Sequence, residues 1–142
     1  MAHAEGSITI DRPINEVFDF ISDGMNNPKW RPSVIDIQPI SGKTVAFKQG
    51  LKGPGGGRID GDYEITENKK NELITFQVIA GPARPTGTYK FETIGNSTRL
   101  TFVLHFEPKG LFRLMDPMIS SSMRSEIDML SNLKAYLENQ RK

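Results

Sequence analysis

The 142-residue sequence contains no cysteine. That absence removes disulfides, thiolate nucleophiles and cysteine metal ligands together, and it leaves the redox compartment unread. Histidine is nearly as scarce: His3 and His105 are the only two, far apart in sequence and without a third obvious partner. Neither a zinc nor an iron site is expected. No run of about 18 apolar residues is present for a membrane span. Met1 to Ile10, which carries His3 and Glu5, has no apolar stretch of signal-peptide length, so a cytoplasmic protein is the expectation. An excess of one charge is missing too. The net charge is +1, and no Lys/Arg block is dense enough for a nucleic-acid footprint.

What is present is an ordinary globular composition, 37% hydrophobic and 25% charged, which excludes a disordered chain. The length fits one domain, residues 1–142, large enough to bury a core without staples. No repeat, linker or low-complexity tail divides it. Glu5 to Ile10 alternates weakly and runs into Asp11-Arg12-Pro13, where Pro13 suits a first helical position. Val17, Phe18 and Ile21 give a short helix its apolar face, and Asp23-Gly24 closes it. Met25 to Trp30 predicts a second brief helical turn, stopped by Pro28 and Pro32.

Six strand-like runs follow. Val34–Ile40 places Ile35 with Ile37, and Val45–Gln49 places Val45 with Phe47. Arg58–Glu67 sets Ile59, Gly61, Tyr63 and Ile65 against Arg58, Asp60, Asp62 and Glu64. Leu73–Ala80 offers Ile74, Phe76 and Val78; Thr86–Ile94 pairs Tyr89 with Phe91. Thr98–Phe106 sets Leu100, Phe102, Leu104 and Phe106 against Arg99, Thr101, Val103 and His105. Alternation of this kind marks an antiparallel sheet with one dry and one wet face. The acidic stripe Asp60, Asp62 and Glu64 is expected on the wet face, with Lys90 and Arg99 within cross-strand reach.

Gly110 to Lys142 reads as one long helix. Phe112, Met115, Ile119, Met123, Ile127, Leu130 and Leu137 recur at three- and four-residue steps, with Arg124, Asp128, Ser131 and Glu138 opposite. Such a stripe needs a sheet to lie on. Glu126 interrupts it, on a flank shared with Leu111, Met118, Ser122 and Met129. A carboxylate there must be paired or wetted. Either it meets a sheet residue or water as an isolated side chain, or this flank faces a partly hydrated cavity.

Several local patterns resemble one known family. Ile10-Asp11-Arg12-Pro13, then Glu16-Val17-Phe18-Asp19-Phe20-Ile21-Ser22-Asp23 and Asn27-Pro28-Lys29-Trp30, resemble the start of the polyketide cyclase/dehydrase branch of the START-like (Bet v 1-like, SRPBCC) superfamily. Gly81-Pro82-Ala83-Arg84-Pro85 before Tyr89-Lys90-Phe91-Glu92, and Thr98-Arg99-Leu100-Thr101-Phe102 before the last helix, continue the likeness over almost the whole chain. The resemblance implies an α+β helix-grip fold: a curved antiparallel sheet around a long C-terminal helix, with two short helices after the first strand. It also implies a deep cavity for a hydrophobic or amphipathic small molecule, lipid-, polyketide- or aromatic-like. No cofactor is expected, and the working unit is expected to be a monomer or homodimer.

The inward aromatics Phe47, Tyr63, Phe76, Tyr89 and Phe91 are core in an ordinary domain and cavity wall in this one. Trp30 is either a plug beneath the short helices or an entrance aromatic. Met115, Met118, Ser122 and Glu126 are the helix positions expected to face a ligand, with Leu130, Leu133 and Leu137 clamping the core. Asp116-Pro117 offers a cap or a kink. Tyr63, Tyr89, Gln49, Ser122 and Glu126 are the polar handles. If the cavity performs cyclisation, aromatisation or dehydration, Glu126 and Tyr89 are the acid/base candidates.

Other motifs carry less. Ser120-Ser121-Ser122 lacks a positioned base and reads as small residues spacing helix from sheet. Gly53-Pro54-Gly55-Gly56-Gly57 lacks the Lys-Ser/Thr of a phosphate loop and precedes a strand, so it reads as a hairpin tip. In the implied fold it and Gly81–Gly87 are possible lids, with Arg84 an anion contact.

Overall fold

The computed structural model describes residues 2–42, 45–52, 57–81, 84–106 and 116–139; the side chains of residues 2, 116–120 and 122 are not among those described. The first strand, β1 (Ala2–Ile10), leads into α1 (Ile14–Ser22), whose entry is shaped by Pro13 at φ −61°. Pro13 is the cap itself rather than the first helical residue. Arg12 steadies the first turn by donating through Nε to Glu16 at 2.7 Å. Val17, Phe18 and Ile21 are the buried face, and Phe18 meets Phe91 edge-on at 5.0 Å. Asp23 ends α1, and its carboxylate accepts from the Met25 amide at 3.0 Å. That bond opens a 3-10 helix, Gly24–Lys29.

Among the described residues, eight strands form one curved antiparallel sheet. After β1 come β2 (Val34–Ile40), β3 (Ala46–Lys52), β4 (Arg58–Asp60), β5 (Tyr63–Lys69), β6 (Leu73–Val78), β7 (Thr86–Ile94) and β8 (Ser97–Phe106). The order is β1-β8-β7-β6-β5-β3-β2, with β4 pairing β3. First and last strands therefore pair, Ala2 with Phe106 through Ile10 with Thr98, because the two helical segments carry the chain away from β1 before the meander starts. Alternation in β8 is obeyed, with Thr98, Leu100, Phe102 and Leu104 buried.

Three strand expectations need correction. Ile35 does not join Ile37: a bulge between Val34 and Asp36 turns Ile35 outward, 52% exposed, and buries Val34 instead. Val45 does not join Phe47 inside; it precedes β3 and is exposed. The run Arg58–Glu67 is two strands. At Gly61-Asp62 the Gly61 amide donates to Gln49 O and the Asp62 carboxylate accepts from the Gln49 amide. Both ladder groups are satisfied while the chain passes from one pairing on β3 to the next. Lys90 and Arg99 do not reach the acidic stripe either, since β6 separates β5 from β7. Asp60 pairs with Arg58, which also grips Asp36 at 3.0 Å, and Arg99 faces Glu92 at 3.7 Å.

The long helix is bent into α2 (Asp116–Asp128) and α3 (Leu130–Asn139), with Met129 at the joint. Around it the bonds shorten to three-residue steps, Met129 N to Glu126 O and Asn132 N to Met129 O. Two side chains favour the turn: Ser131 Oγ donates to Asp128 O, and Asn132 Nδ2 donates to Trp30 O at 3.2 Å. The bend at Asp116-Pro117 that the sequence allows is thus not the one between the described halves. Residues 110–115 lie outside the described ones. In α3, Leu130, Leu133 and Leu137 are buried; in α2, Met123 and Ile127 are. Gly6 permits close approach, because a β-carbon there would collide with Ile127 Cγ2.

Candidate ligand-binding cavity

Bent helix and curved sheet do not close on each other everywhere. Between α2 and the sheet lies a cavity of about 590 Å³. Its wall is largely apolar: Ile59 and Ile65 on one side, Phe76, Tyr89 and Phe102 across the floor, and Met123 and Met129 from the helix. The floor is an aromatic slab. Tyr89 stacks on Phe102 at 4.3 Å and 14°, while Phe76 lies 5.4 Å from Tyr63 and 5.9 Å from Tyr89. Phe76 can lie flat because its cross-strand partner is Gly87, where any β-carbon would strike its ring.

One pole of the cavity is polar. The chain leaves the 3-10 helix through Trp30, buried in the core, and the guanidinium of the next residue, Arg31, lies over the Trp30 ring. Arg31 is placed by its amide bonding Asn27 O at 2.9 Å and its carbonyl accepting from Val34. Its Nε donates to Glu126 Oε2 at 3.0 Å, Nη2 lies at the same distance, and Ser33 Oγ donates to Glu126 Oε1 at 2.8 Å. Only 10% of the Arg31 side chain and 19% of the Glu126 side chain are exposed. Burial opposes the charge on Arg31, but Glu126 foremost, then Tyr89 and Tyr63, outweigh it and leave its pKa above the ordinary arginine value. Beside this pair Asn27 Nδ2 donates to Gln49 Oε1 at 3.0 Å and to Tyr63 Oη at 2.9 Å, and Gln49 Nε2 donates to Gly61 O.

Both phenols are hard to ionise. Burial pushes the Tyr63 hydroxyl up, with the Asn27 bond opposing, and burial pushes Tyr89 up far more, with Arg31 opposing. In the folded chain they stay protonated at pH values where an unfolded tyrosine ionises. Their contribution to stability is therefore complete below about pH 10 and drains as pH rises toward the folded pKa. Urea unfolding at several alkaline pH values should show stability falling by up to about 1.4 kcal/mol per pH unit for each such tyrosine. Tyr89→Phe should flatten that slope, and an unchanged slope would contradict the burial argument.

Of the residues singled out in sequence, Tyr63, Phe76, Tyr89 and Glu126 are brought together on this cavity, with Gln49 beside them. Trp30, Phe47 and Phe91 are buried in the core at 2%, 7% and 7% exposure and do not line it. Met115 lies outside the described residues, as do the side chains of Met118 and Ser122; Ser121 of the serine triplet lines the cavity. Gly53–Gly56, Pro82 and Ala83 are likewise outside. Arg84 is exposed, donates to Gly81 O and is not part of the wall. Glu126 meets no sheet residue: it pairs with Arg31 and accepts from Ser33, both in the turn before β2, and it lines the cavity. Arg31, Asn27 and Ser33 were not foreseen; the readable hint was a cation and an amide in the proline-bounded segment Asn27–Pro32 around a single tryptophan. Among the described residues no group of three or more His, Asp or Glu side chains is arranged to hold a metal, and no helix is long and apolar enough to cross a membrane.

The architecture has close counterparts among solved structures. A START superfamily protein from Mycobacterium smegmatis superposes with a TM-score of 0.81 at 14% identity, over 99% of each chain. A protein from Thermus thermophilus does so at 0.80 and 18%, again over 99% of each. The Zhui aromatase/cyclase from a Streptomyces species gives 0.78 at 12% identity, over 99% of this chain and 95% of that one. These likenesses define the class, a helix-grip fold of the START/Bet v 1-like kind. Residues 1–138 match the family model described as "Polyketide cyclase / dehydrase and lipid transport", and the chain belongs to that family. A search of curated proteins finds no match to the sequence.

Proposed function

We propose that this protein binds a hydrophobic or amphipathic small molecule in the cavity between α2 and the sheet. The observation that carries this reading is a void of about 590 Å³, within the range of small-molecule sites, whose walls are apolar and whose polar groups gather at one pole. A domain with no ligand to hold gains by filling such a space, since every lining atom without a neighbour forfeits dispersion contacts.

Native mass spectrometry of freshly purified protein should reveal a copurified small molecule, and an environment-sensitive apolar dye should bind with one-to-one stoichiometry. Val78→Trp, on a half-buried wall position, adds bulk to the cavity. It should weaken the dye by at least about tenfold while leaving the far-UV spectrum intact. A folded variant with unchanged affinity would place the dye elsewhere and remove the main support.

A second reading, an enzyme that cyclises or dehydrates a polyketide-like substrate in the same space, has one observation in its favour: Tyr89, whose phenol can carry a proton, lines the same cavity as the Arg31–Glu126 pair. Glu126 is the weaker of the two acid/base candidates, because both its oxygens are engaged by Arg31 and Ser33. Turnover of an identified substrate that survives Tyr89→Phe at full rate would remove that tyrosine from any chemistry.

A further inference from the structure

The two histidines are far apart in sequence and adjacent in the sheet. His3 on β1 and His105 on β8 are direct cross-strand partners, which sets their α-carbons about 4.5–5.5 Å apart. Their rings meet edge-on with centroids 6.4 Å apart. Glu5, two residues along β1 and therefore on the same face, brings Oε1 to 3.5 Å from His3 Nε2. Separation along the chain, which argued against a metal site in the sequence, is cancelled by this pairing. The three residues stand on the outer face of the sheet, away from the cavity. Ala4 and Leu104, which alternate with them, are buried; Leu104 lines the cavity, and Gly6 lies against Ile127 of α2. The His3 and Glu5 side chains are 51% and 55% exposed, so a hydrated ion reaches them without entering the core.

We propose that His3, His105 and Glu5 form a Zn²⁺ site on the outer face of the sheet, with water completing the coordination. The donor set decides the class of ion. Two imidazole nitrogens and one carboxylate oxygen suit zinc, whereas Ca²⁺ and Mg²⁺ require oxygen donors throughout. As they stand the three groups do not converge on one point. Two imidazoles on one tetrahedral ion, each nitrogen about 2.0–2.1 Å from it, have ring centres about 5 Å apart. Closing the remaining distance of about 1 Å takes only rotation about χ1 and χ2 of exposed and half-buried side chains. The ladder fixes both backbones, so an ion held by one imidazole meets the second at high local concentration. The Glu5 carboxylate adds attraction for a cation. Such an ion would tie the edge strand β1 to β8, a pairing that closes about a hundred residues of chain. In the unfolded chain the two histidines are not held together, so the ion favours the folded state.

The test is a calorimetric titration of the full chain, free of any affinity tag, with zinc chloride at neutral pH. One ion should bind per chain. His3→Gln and His105→Gln should each weaken it at least about tenfold, and Glu5→Gln about two- to fivefold. At free Zn²⁺ ten times the dissociation constant, the equilibrium constant for urea unfolding should fall about tenfold and recover on adding a chelator. The same addition should leave the unfolding of His105→Gln where it was, and without zinc that variant should unfold like the parent. No binding by the parent, binding that survives His105→Gln, or binding that leaves unfolding unchanged would each overturn the inference. The second of these results would put the ion on β1 alone. None of them bears on the cavity, which lies on the other face.

Discussion

Arg31→Met is expected to lower the free energy of unfolding by about 3–5 kcal/mol, the cost of leaving a buried carboxylate without its partner. Glu126 sits on α2 with its side chain mostly out of solvent; Arg31 Nε and Ser33 Oγ donate to it, and Arg31 Nη2 lies 3.0 Å away. Ser33 alone cannot offset the lost attraction. Glu126→Gln should cost less, about 2 kcal/mol, because the amide oxygen still accepts one bond and the guanidinium retains its contact over the Trp30 ring at 5.8 Å. The double substitution Arg31→Met with Glu126→Met removes both charges and should be more stable than Arg31→Met alone, giving a coupling of at least about 2 kcal/mol. Urea unfolding of the parent, the two single Met variants and the double variant closes the cycle. A coupling near zero would mean the pair is solvated through the cavity and contributes nothing beyond a surface ion pair.

Leu133→Ala should destabilise by a similar amount, about 3 kcal/mol, through a different mechanism. Leu133 is fully buried on α3 and is not part of the cavity wall, so truncation opens a second void in packed core. Dye affinity under native conditions should stay within about twofold of the parent, since the stability lost is shared by free and bound protein alike. The contrast defines a division along the bent helix. Among the described residues, α2 lines the cavity with Ser121, Met123, Ser125 and Glu126, and α3 contributes none of its residues. Should Leu133→Ala weaken the dye as strongly as Val78→Trp does, the two halves do not act separately.

Much of this architecture could be read before any coordinates. The alternations over residues 73–80, 86–94 and 98–106 declare strands because each has one dry face, and a dry face at period two is what a half-buried sheet demands. The stripe from Phe112 to Leu137 declares a helix by the same logic at period 3.6, and its described part, from α2 on, is helical. Family-like segments then supplied the helix-grip arrangement. Where the local pattern misled, a few residues of bulge or break were responsible: Ile35 is turned out by an extra residue in β2, and Gly61-Asp62 divides one alternating run into β4 and β5. Neither device changes composition or periodicity enough to be seen.

Local sequence therefore settled most element types, the wet and dry faces of β6, β7 and β8, and the oddity of a carboxylate at position 126. It could not settle what that carboxylate meets. Arg31 is 95 residues away, on a turn whose exit direction depends on Trp30 entering the core and on Asn132 bonding the Trp30 carbonyl. The bend at Met129 is of the same kind: no proline or glycine marks it, and it forms where Asn132 of α3 bonds the Trp30 carbonyl just after the 3-10 helix. Whether Tyr89 is core or wall was undecidable for the same reason. Alternation says only that it points inward, whereas the gap it faces exists because a bent helix and a curved sheet part company above it. Period and propensity act over a few neighbouring residues; a cavity is set by surfaces brought together from across the chain.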